Sequence, residues 1–298
     1  MRIALLEDRG VVAVTGADAA KLLAGLVTND MAQLDTETAL YAALLTPQGK
    51  ILFDFLIVKA GGGFLLDTAR EGIGDLVKRL SMYKLRSDVA IRDASADFAV
   101  AAVWGAEDAV PALRLAGEGS HAFADPRLPE LGARVLIDVR AADDVLGSLG
   151  AERVSAEAYH AHRIGLGVPE GGRDFPLGDT FPHEALMDQL NGVSFTKGCF
   201  VGQEVVSRMQ HRATVRKRVV PVTGERDLPA GPLPVLAGEV EIGRLGSVAG
   251  ARGLALMRLD RAAQARRDGV AVTAGGVPLS VEAPSFASFS VEAAHGSA

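Results

Sequence analysis

Hydrophobic and polar positions in the first third of the chain alternate between the period of strands and the period of helices. Short apolar runs bounded by Gly and Pro are typical of an antiparallel meander. The capping box Thr15–Asp18 and the apolar positions after it predict a helix, and a second helix is predicted over residues 71–83. The predicted strands are residues 10–15, 39–45, 51–59, 64–67 and 88–92.

Beyond residue 95 the pattern changes twice. Residues 98–149 repeat strand and helix signals on a smaller scale, and their Gly/Ala richness predicts plain packing without chemistry. A short helix is predicted at 156–165, and the aperiodic stretch 167–191 is too long for an idle connector. From residue 216 onward the pattern is all-β, which predicts a small barrel or sandwich.

Composition narrows the class of protein. A chain of 298 residues with 48% hydrophobic and 23% charged positions is a globular protein of two or three domains. The net charge of −6 argues against a general nucleic-acid or membrane-surface binder, and no apolar run reaches the length of a membrane span. The first residues lack the apolar core of a signal peptide, so we expect a cytoplasmic protein.

Cys199 is the only cysteine, which excludes an intramolecular disulfide and any metal site built from several cysteines of one chain. It lies in the densest cluster of chemistry, Lys197–Glu204 (KGCFVGQE), with helical spacing after it. A helix N-terminus and nearby cations such as Lys197 favour thiolate, which predicts a reactive cysteine. The alternative is a buried structural cysteine.

Other candidate chemistry is weaker. The histidines lack partners at ligand spacing, so we expect no metal, and neither a phosphate-loop nor a hydrolase motif is present. The stretch Arg208–Arg218 holds five Lys/Arg and no acid. It is either a basic rim, in which Arg208, Arg212 and Arg216 attract an acidic tail or partner, or the solvated face of a helix and strand.

The octapeptide makes a family resemblance specific. The pattern K-G-C-[FY]-x-G-Q-E followed by basic residues is similar to the signature of YgfZ-type folate-binding proteins, relatives of the glycine-cleavage T-protein. Collinear segments also resemble that family. They are Leu26–Asp30 (LVTND), Pro47–Lys50 (PQGK) with Phe53-Asp54, Tyr83–Arg86 (YKLR), and Arg163–Gly167 (RIGLG).

The resemblance implies an α+β, multi-domain T-protein-like arrangement around a central channel, with a small C-terminal β-barrel. It divides the chain into residues 1–95 with 155–215, residues 96–154 and residues 216–290. It also implies a reduced folate as cofactor, tetrahydrofolate or a derivative, and a monomer. The implied role is to support iron–sulfur cluster assembly with assembly or client proteins, tRNA-modifying enzymes among them, without direct nucleic-acid or membrane binding.

The resemblance also assigns candidate site residues. Cys199 is the functional thiol, and Asp54 matches an aspartate that is catalytic in aminomethyl transfer. The cofactor-binding candidates are Asn29, Asp54, Arg163, Lys197, Gln203 and Glu204.

Whether the chain is itself an enzyme is left open by two departures from the T-protein pattern. The glutamate of the T-protein's R-x-E-x-G segment is Gly165 here, and its F-x-G-[RE]-E segment has become the octapeptide. Without the pterin-binding acid, folate recognition should be weaker. An accessory protein is therefore favoured over the alternative, a folate-dependent aminomethyltransferase or other one-carbon transferase.

Overall fold

The computed structural model describes residues 1–106, 119–148, 150–211 and 215–291, which form two compact units. The first unit comprises Met1–Pro47, Leu52–Tyr159 and Leu190–Val201. The second comprises Gln48–Ile51, His160–Gln189 and the part of the chain from Gly202 onward. The three-domain division stays a prediction.

Two five-stranded sheets make up most of the first unit. The first sheet has the order β3-β4-β5-β2-β6, and the second has the order β10-β1-β7-β9-β8. In chain order the strands are β1 Arg2–Leu5, β2 Arg9–Thr15, β3 Leu40–Leu45, β4 Ile51–Ala60, β5 Gly63–Ala69, β6 Ala90–Asp93, β7 Phe98–Trp104, β8 His121–Ala124, β9 Ala133–Asp138 and β10 Glu152–Arg153.

The predicted meander is the first sheet. Strand β5 pairs antiparallel with both β4 and β2, and Val12 lies opposite Leu66 in the second of these pairs. Helices α1 (Ala19–Leu26) and α2 (Ile73–Lys84) contribute Leu23 and Leu76 to the same core. This packing places the C-terminal end of α1 beside the segment that carries Cys199.

The start of α1 corrects one prediction. Asp18, not Thr15, is the N-cap residue, and no side chain caps the helix. The carboxylate of Asp18 instead accepts a hydrogen bond from the backbone N–H of Asp88, at 2.9 Å. A long-range contact has thus replaced the local capping box.

The second sheet has its own core, built from β7 and β9 in antiparallel register with Val100 opposite Leu136. Strand β10 joins its edge in parallel with β1, with Arg2 opposite Glu152. Two further helices follow in the chain, α3 (Ala142–Ser148) and α4 (Ala156–Leu166).

The second unit contains a closed barrel of order β11-β14-β13-β12-β15-β16, which confirms the predicted barrel. Its strands are β11 Lys217–Gly224, β12 Leu233–Ala237, β13 Val240–Ala249, β14 Arg252–Arg258, β15 Val272–Ala274 and β16 Val277–Val281. The described part of this unit also contains most of α4, together with α5 (Gln203–His211) and α6 (Leu259–Arg267). The all-β prediction after residue 216 was therefore wrong at α6, whose inward positions are mostly alanine and carry little hydrophobic signal.

None of the helices within the described ranges is long and apolar enough to cross a membrane.

Candidate functional site

Cys199 is exposed, on a segment of the first unit without regular structure. Helix α5 begins at Gln203, four residues later, so the thiol does not directly precede the helix. The buried ring of Phe200 and the partly buried side chain of Val201, which packs on the first-sheet core, hold the segment in place. The structure therefore presents the sole thiol to solvent on an anchored strip of chain.

Lys197 is the main polar anchor of that strip. Its ammonium donates to the carbonyl oxygens of Ala24, Val27 and Asn29, at 2.8, 2.7 and 2.8 Å. The end of a helix leaves carbonyls without partners, and Lys197 satisfies those of Ala24 and Val27 at the end of α1 and that of Asn29 two residues further on. Partial burial lowers the pKa of Lys197 to about 8. Its ammonium also lies 5.1 Å from the centroid of the Phe200 ring.

Asn29 is buried and fixed by the backbone around it. Its side-chain amide donates to the carbonyl oxygens of Tyr41 and Asn191, at 2.8 and 2.7 Å, and its amide oxygen accepts from the N–H of Asp30. In the same LVTND segment the Thr28 hydroxyl donates to the carbonyl of Gly192 at 2.6 Å. This segment therefore joins the end of α1 to the stretch that leads to Cys199.

Asp54 lies on β4 and is buried, with 7% of its surface exposed. Its Oδ2 accepts a hydrogen bond from the hydroxyl of Tyr41, at 3.2 Å. Burial first, and then the Asp54 carboxylate, raise the pKa of Tyr41 well above its usual value, so Tyr41 is a neutral donor at physiological pH. The hydrogen bond links the neighbouring strands β3 and β4 of the first sheet.

A buried network of charges in the first unit was missed by the sequence analysis, which assigned no chemistry to residues 98–149. Arg127 forms a bidentate pair with Asp125, at 2.9 and 2.7 Å. Arg134 approaches Asp125 at 3.4 Å and Asp67 at 3.6 Å. Burial raises the pKa of Asp125, but the Arg127 guanidinium outweighs it and holds that pKa at about 2.

The same network reaches the two sheets and the ring of Tyr159. Arg9 donates to Asp67 at 2.7 Å, and Arg134 donates to the Tyr159 hydroxyl at 2.9 Å. The sequence did contain a signal for this network, because Asp67 and Arg134 lie inside otherwise apolar strands. Buried charges occur almost only when they are paired, so each of these residues indicates a charged partner.

Arg163, Gln203 and Glu204 belong to the second unit. Arg163 is buried and donates to Asp174 at 2.7 Å and to Ser247 at 2.9 Å. These contacts give it a structural role within its own unit. Gln203 and Glu204 open α5, and Glu204 pairs with Arg208 one turn later, at 2.6 Å.

The PQGK turn and α5 meet within the second unit. Gly49 has a positive φ of 80°, and a Cβ there would lie 3.0 Å from Cβ of Val205. Only glycine combines this backbone with so close an approach. Two separate motifs of the sequence therefore pack against each other.

The basic stretch is only partly exposed. Arg218 is buried and forms a bidentate pair with Asp188, at 2.8 and 2.9 Å, and Arg208 pairs with Glu204. Arg216 is exposed, whereas Arg212 lies outside the described residues. Two of the cations are thus already engaged by carboxylates of the chain.

Gly165, where a T-protein has its acid, is exposed in α4. A Cβ there would lie 3.4 Å from Nη1 of Arg252, an ordinary contact distance. The position can therefore accept a side chain, and packing does not explain the missing acid.

Two family models match the chain. The C-terminal β-barrel domain of CAF17 matches residues 216–289, and the GCVT N-terminal domain matches residues 7–114. The fold resembles the glycine cleavage system aminomethyltransferase T from Bartonella henselae, with a TM-score of 0.76 and 18% identity over 96% of this chain and 86% of that one. The predicted T-protein-like fold is thereby confirmed.

Curated relatives are iron–sulfur cluster assembly factors. The mouse IBA57 protein is 35% identical over 281 residues, which are 85% of this chain and 76% of the relative. The human protein is 33% identical over 274 residues, with the same coverage. The homolog of Mycosarcoma maydis is 37% identical over 235 residues, 74% of this chain. The chain spans little more than half the length of that fungal relative and of the Neurospora crassa homolog, 57% and 52%.

These relatives correct one prediction and refine another. All four are named mitochondrial, which contradicts the cytoplasmic location expected from the first residues. The composition of the first residues was therefore not a sufficient basis for predicting the compartment. The relatives are IBA57 proteins and not YgfZ proteins as such, and their names confirm that the predicted family link is to iron–sulfur cluster assembly. The chain belongs to the IBA57 family of iron–sulfur cluster assembly factors.

Proposed function

We propose that this protein is an accessory factor in iron–sulfur cluster assembly that presents Cys199 as a working thiol and binds a reduced folate. The observation that carries the proposal is the anchoring of an exposed thiol by the three hydrogen bonds of Lys197. A cysteine that only filled space would be buried, because free cysteine behaves as a small hydrophobic residue. Exposure on a fixed segment suits a group that must meet a second molecule.

One thiolate supplies one ligand, whereas a cluster needs four. Cys199 therefore acts together with ligands from an assembly protein, a client protein or a small thiol, and holds the cluster as cargo in transit. In a YgfZ-type role the clients include cluster-dependent tRNA-modifying enzymes. No catalytic turnover is required of the chain for this task.

A folate fits the first unit in part. Asp54 supplies a buried carboxylate that suits the N–H donors of a pterin ring, with Tyr41 as its neutral neighbour. The T-protein's R-x-E-x-G segment reads RIGLG at residues 163–167 of this chain, so the acid that this sequence pattern provides for the pterin ring is absent. We propose that tetrahydrofolate or a derivative binds weakly, with Asp54 as its main polar contact, and is not efficiently converted. This combination favours an accessory protein over an aminomethyltransferase.

The thiol is tested by complementation of a deletion strain with Cys199→Ser and Cys199→Ala. Both variants should fold normally and fail to restore the activity of cluster-dependent enzymes, because neither carries a soft sulfur ligand. Thr196→Ala, an exposed change on the same segment, is the matched control and should restore activity. Full complementation by Cys199→Ala would refute the proposal for the thiol.

Folate binding is tested by calorimetry with tetrahydrofolate. The dissociation constant should be micromolar or weaker, about 8 kcal/mol or less of binding free energy. Asp54→Asn should weaken binding, and Asp35→Asn, at an exposed carboxylate of the same unit, should not. No heat of binding at millimolar folate would remove the cofactor from the proposal.

A further inference from the structure

Helix α2 ends in a turn whose backbone does not suit its residue. Residues 84–87 form a β-turn closed by the N–H of Ser87, which donates to the carbonyl of Lys84 at 2.8 Å. Leu85, the first central residue, has φ 48° and ψ −110°. This is the conformation of a type II′ turn, in which glycine is strongly preferred at that position because a Cβ is crowded there.

Packing within the chain does not explain why position 85 is a leucine. Its surface is 85% exposed, the largest value among the large hydrophobic residues of the described chain, and Met82 on the preceding turn is 61% exposed. The other apolar residues of α2, such as Leu76 and Leu80, are buried in the first-sheet core. An exposed aliphatic side chain in a strained turn indicates a role outside the isolated chain.

The charges around Leu85 have the sign opposite to that of the whole chain. Four cations lie between residues 78 and 86 with no acid among them, while the chain carries a net −6. Within the described residues none of the four has a carboxylate within 4 Å. We name these cations together with Met82 and Leu85 the α2 surface. Its members are Lys78, Arg79, Met82, Lys84, Leu85 and Arg86.

One edge of the α2 surface is acidic. Asp18 lines a shallow recess of 700 Å³ together with Leu85, Arg86 and Ser87. Its carboxylate accepts from the N–H of Asp88 and is therefore partly engaged. The other charged residue that lines the recess is the cation Arg86, and Asp88, three residues after Leu85, is exposed.

We propose that the α2 surface is a docking site for an acidic protein that receives Leu85 in an apolar recess. A nucleic acid would be bound through its phosphates by the cations alone. It would make no use of the exposed Leu85 side chain, so it would not explain why a leucine occupies this strained turn position. A membrane-surface helix needs a continuous apolar face, and that face of α2 is already buried in the core. An exposed apolar residue with cations close by in the chain that have no carboxylate partner is typical of a protein interface, where an apolar centre is bordered by charged residues.

The position of this surface suits the proposed function, on which this step rests. Asp18 borders the recess and precedes α1, whereas Lys197 binds the carbonyls at the other end of α1. Eight residues of helix span about 12 Å. A standard interface covers about 800 Å² on each partner, roughly 30 Å across, so one partner can cover both the α2 surface and the thiol segment.

The docking site is tested first by photocrosslinking in cells. Benzoylphenylalanine is placed at position 85 of the full chain in a complemented deletion strain, and at Val240, which is 55% exposed in the second unit, as control. We expect one acidic protein to crosslink at position 85 and not at position 240. That protein is then purified and its affinity for the intact chain is measured.

The decisive variant is Leu85→Gly, because it should change stability and binding in opposite directions. Glycine relieves the turn, so the melting temperature should stay the same or rise, while affinity for the purified partner should fall at least about tenfold. The double variant Arg79→Glu with Arg86→Glu should also weaken binding, and wild-type affinity should fall as salt rises.

Three results would overturn the proposal. They are crosslinking at position 85 no stronger than at position 240, equal affinity of Leu85→Gly and wild type, and binding of phosphatidylglycerol vesicles that Leu85→Gly abolishes. The proposed function fails separately, through complementation by Cys199→Ala. If that happened while the crosslink at position 85 persisted, the docking site would stand and only its link to the thiol would fall.

Discussion

The ammonium of Lys197 donates a hydrogen bond to the backbone carbonyl of Asn29, with Nζ and O 2.8 Å apart. The Asn29 amide in turn donates to the backbone of Tyr41, whose hydroxyl donates to Asp54. A series of hydrogen-bonded residues, Lys197, Asn29, Tyr41 and Asp54, therefore links the thiol segment to the buried carboxylate within one unit. It gives the LVTND and KGC motifs a shared structural purpose.

Lys197→Met should destabilise the protein and loosen the thiol segment. Three carbonyls at the end of α1 lose their donor, at a cost of about 1–3 kcal/mol in the free energy of unfolding. Denaturant titration measures this cost, and the alkylation rate of Cys199 should change in parallel. Lys59→Met removes only an exposed ion pair with Asp35 and should cost little. Equal effects of the two changes would contradict the anchoring role.

The same lysine predicts a pH dependence of stability. The pKa of Lys197 is lowered to about 8 in the folded protein, against about 10.4 when unfolded. Between these values the unfolded chain binds the extra proton, so the contribution of this group to stability rises with pH. The difference in unfolding free energy between wild type and Lys197→Met should therefore grow from pH 8 to pH 10. If the difference shrank instead, the hydrogen bonds to the three carbonyls would be raising the pKa of Lys197 by more than burial lowers it.

Tyr41→Phe should lower both the stability of the protein and its affinity for folate. The change removes one donor to the buried Asp54 carboxylate, at a cost of about 1–2 kcal/mol in stability, and should weaken tetrahydrofolate binding. Because the pKa of Tyr41 is raised well above 10, the absorbance titration of tyrosine near pH 10 should be the same with and without it. If fewer tyrosines titrated near pH 10 in Tyr41→Phe than in the wild type, the Tyr41 hydroxyl would ionise in that range, which would contradict its raised pKa.

Arg134→Met should be strongly destabilising. It leaves Asp67 and Asp125 buried with less compensating charge, and breaking a buried pair costs about 3–5 kcal/mol. Arg2→Met removes an exposed pair with Glu152 and is the matched control, for which no measurable change is expected. Chemical denaturation of both variants measures how much the network contributes to the free energy of unfolding.

Acid should weaken the same network. The pKa of Asp125 is about 2 in the folded protein and about 3.9 in the unfolded chain. The contribution of Asp125 to the free energy of unfolding is therefore complete above pH 4 and is lost as the pH falls toward 2.

Gly165→Glu tests whether this position is equivalent to the T-protein acid, in which case the proposed binding of tetrahydrofolate should become tighter. The site accepts a side chain, and replacing glycine in a helix adds up to about 1 kcal/mol of stability. Gly165→Ala isolates this helix effect, so tighter tetrahydrofolate binding by the Glu variant alone would come from the carboxylate. Equal affinity of the two variants would show that Gly165 is not equivalent to the T-protein acid.

Local pattern was sufficient for most strands and for the barrel. Val240–Ala249 and Ile51–Ala60 follow the expected runs within a residue or two, because strand periodicity and Gly/Pro punctuation are local properties. Helix α6 was missed because its buried positions are largely alanines, whose burial depends on neighbouring strands. The capping box failed for a related reason, since Asp18 found a partner 70 residues away.

The sequence by itself determined the fold class, the sole thiol and the T-protein-like superfamily, since each depends on residue identity and spacing along the chain, whereas the family within that superfamily is IBA57 and not YgfZ. Only the tertiary structure decided what these residues touch. Lys197 lies 170 residues from Val27 and Arg134 lies 67 residues from Asp67, yet each pair is in contact. Such partners are chosen by the packing of whole sheets and helices, which no local pattern encodes, and they decide which charged residues are buried supports and which remain exposed.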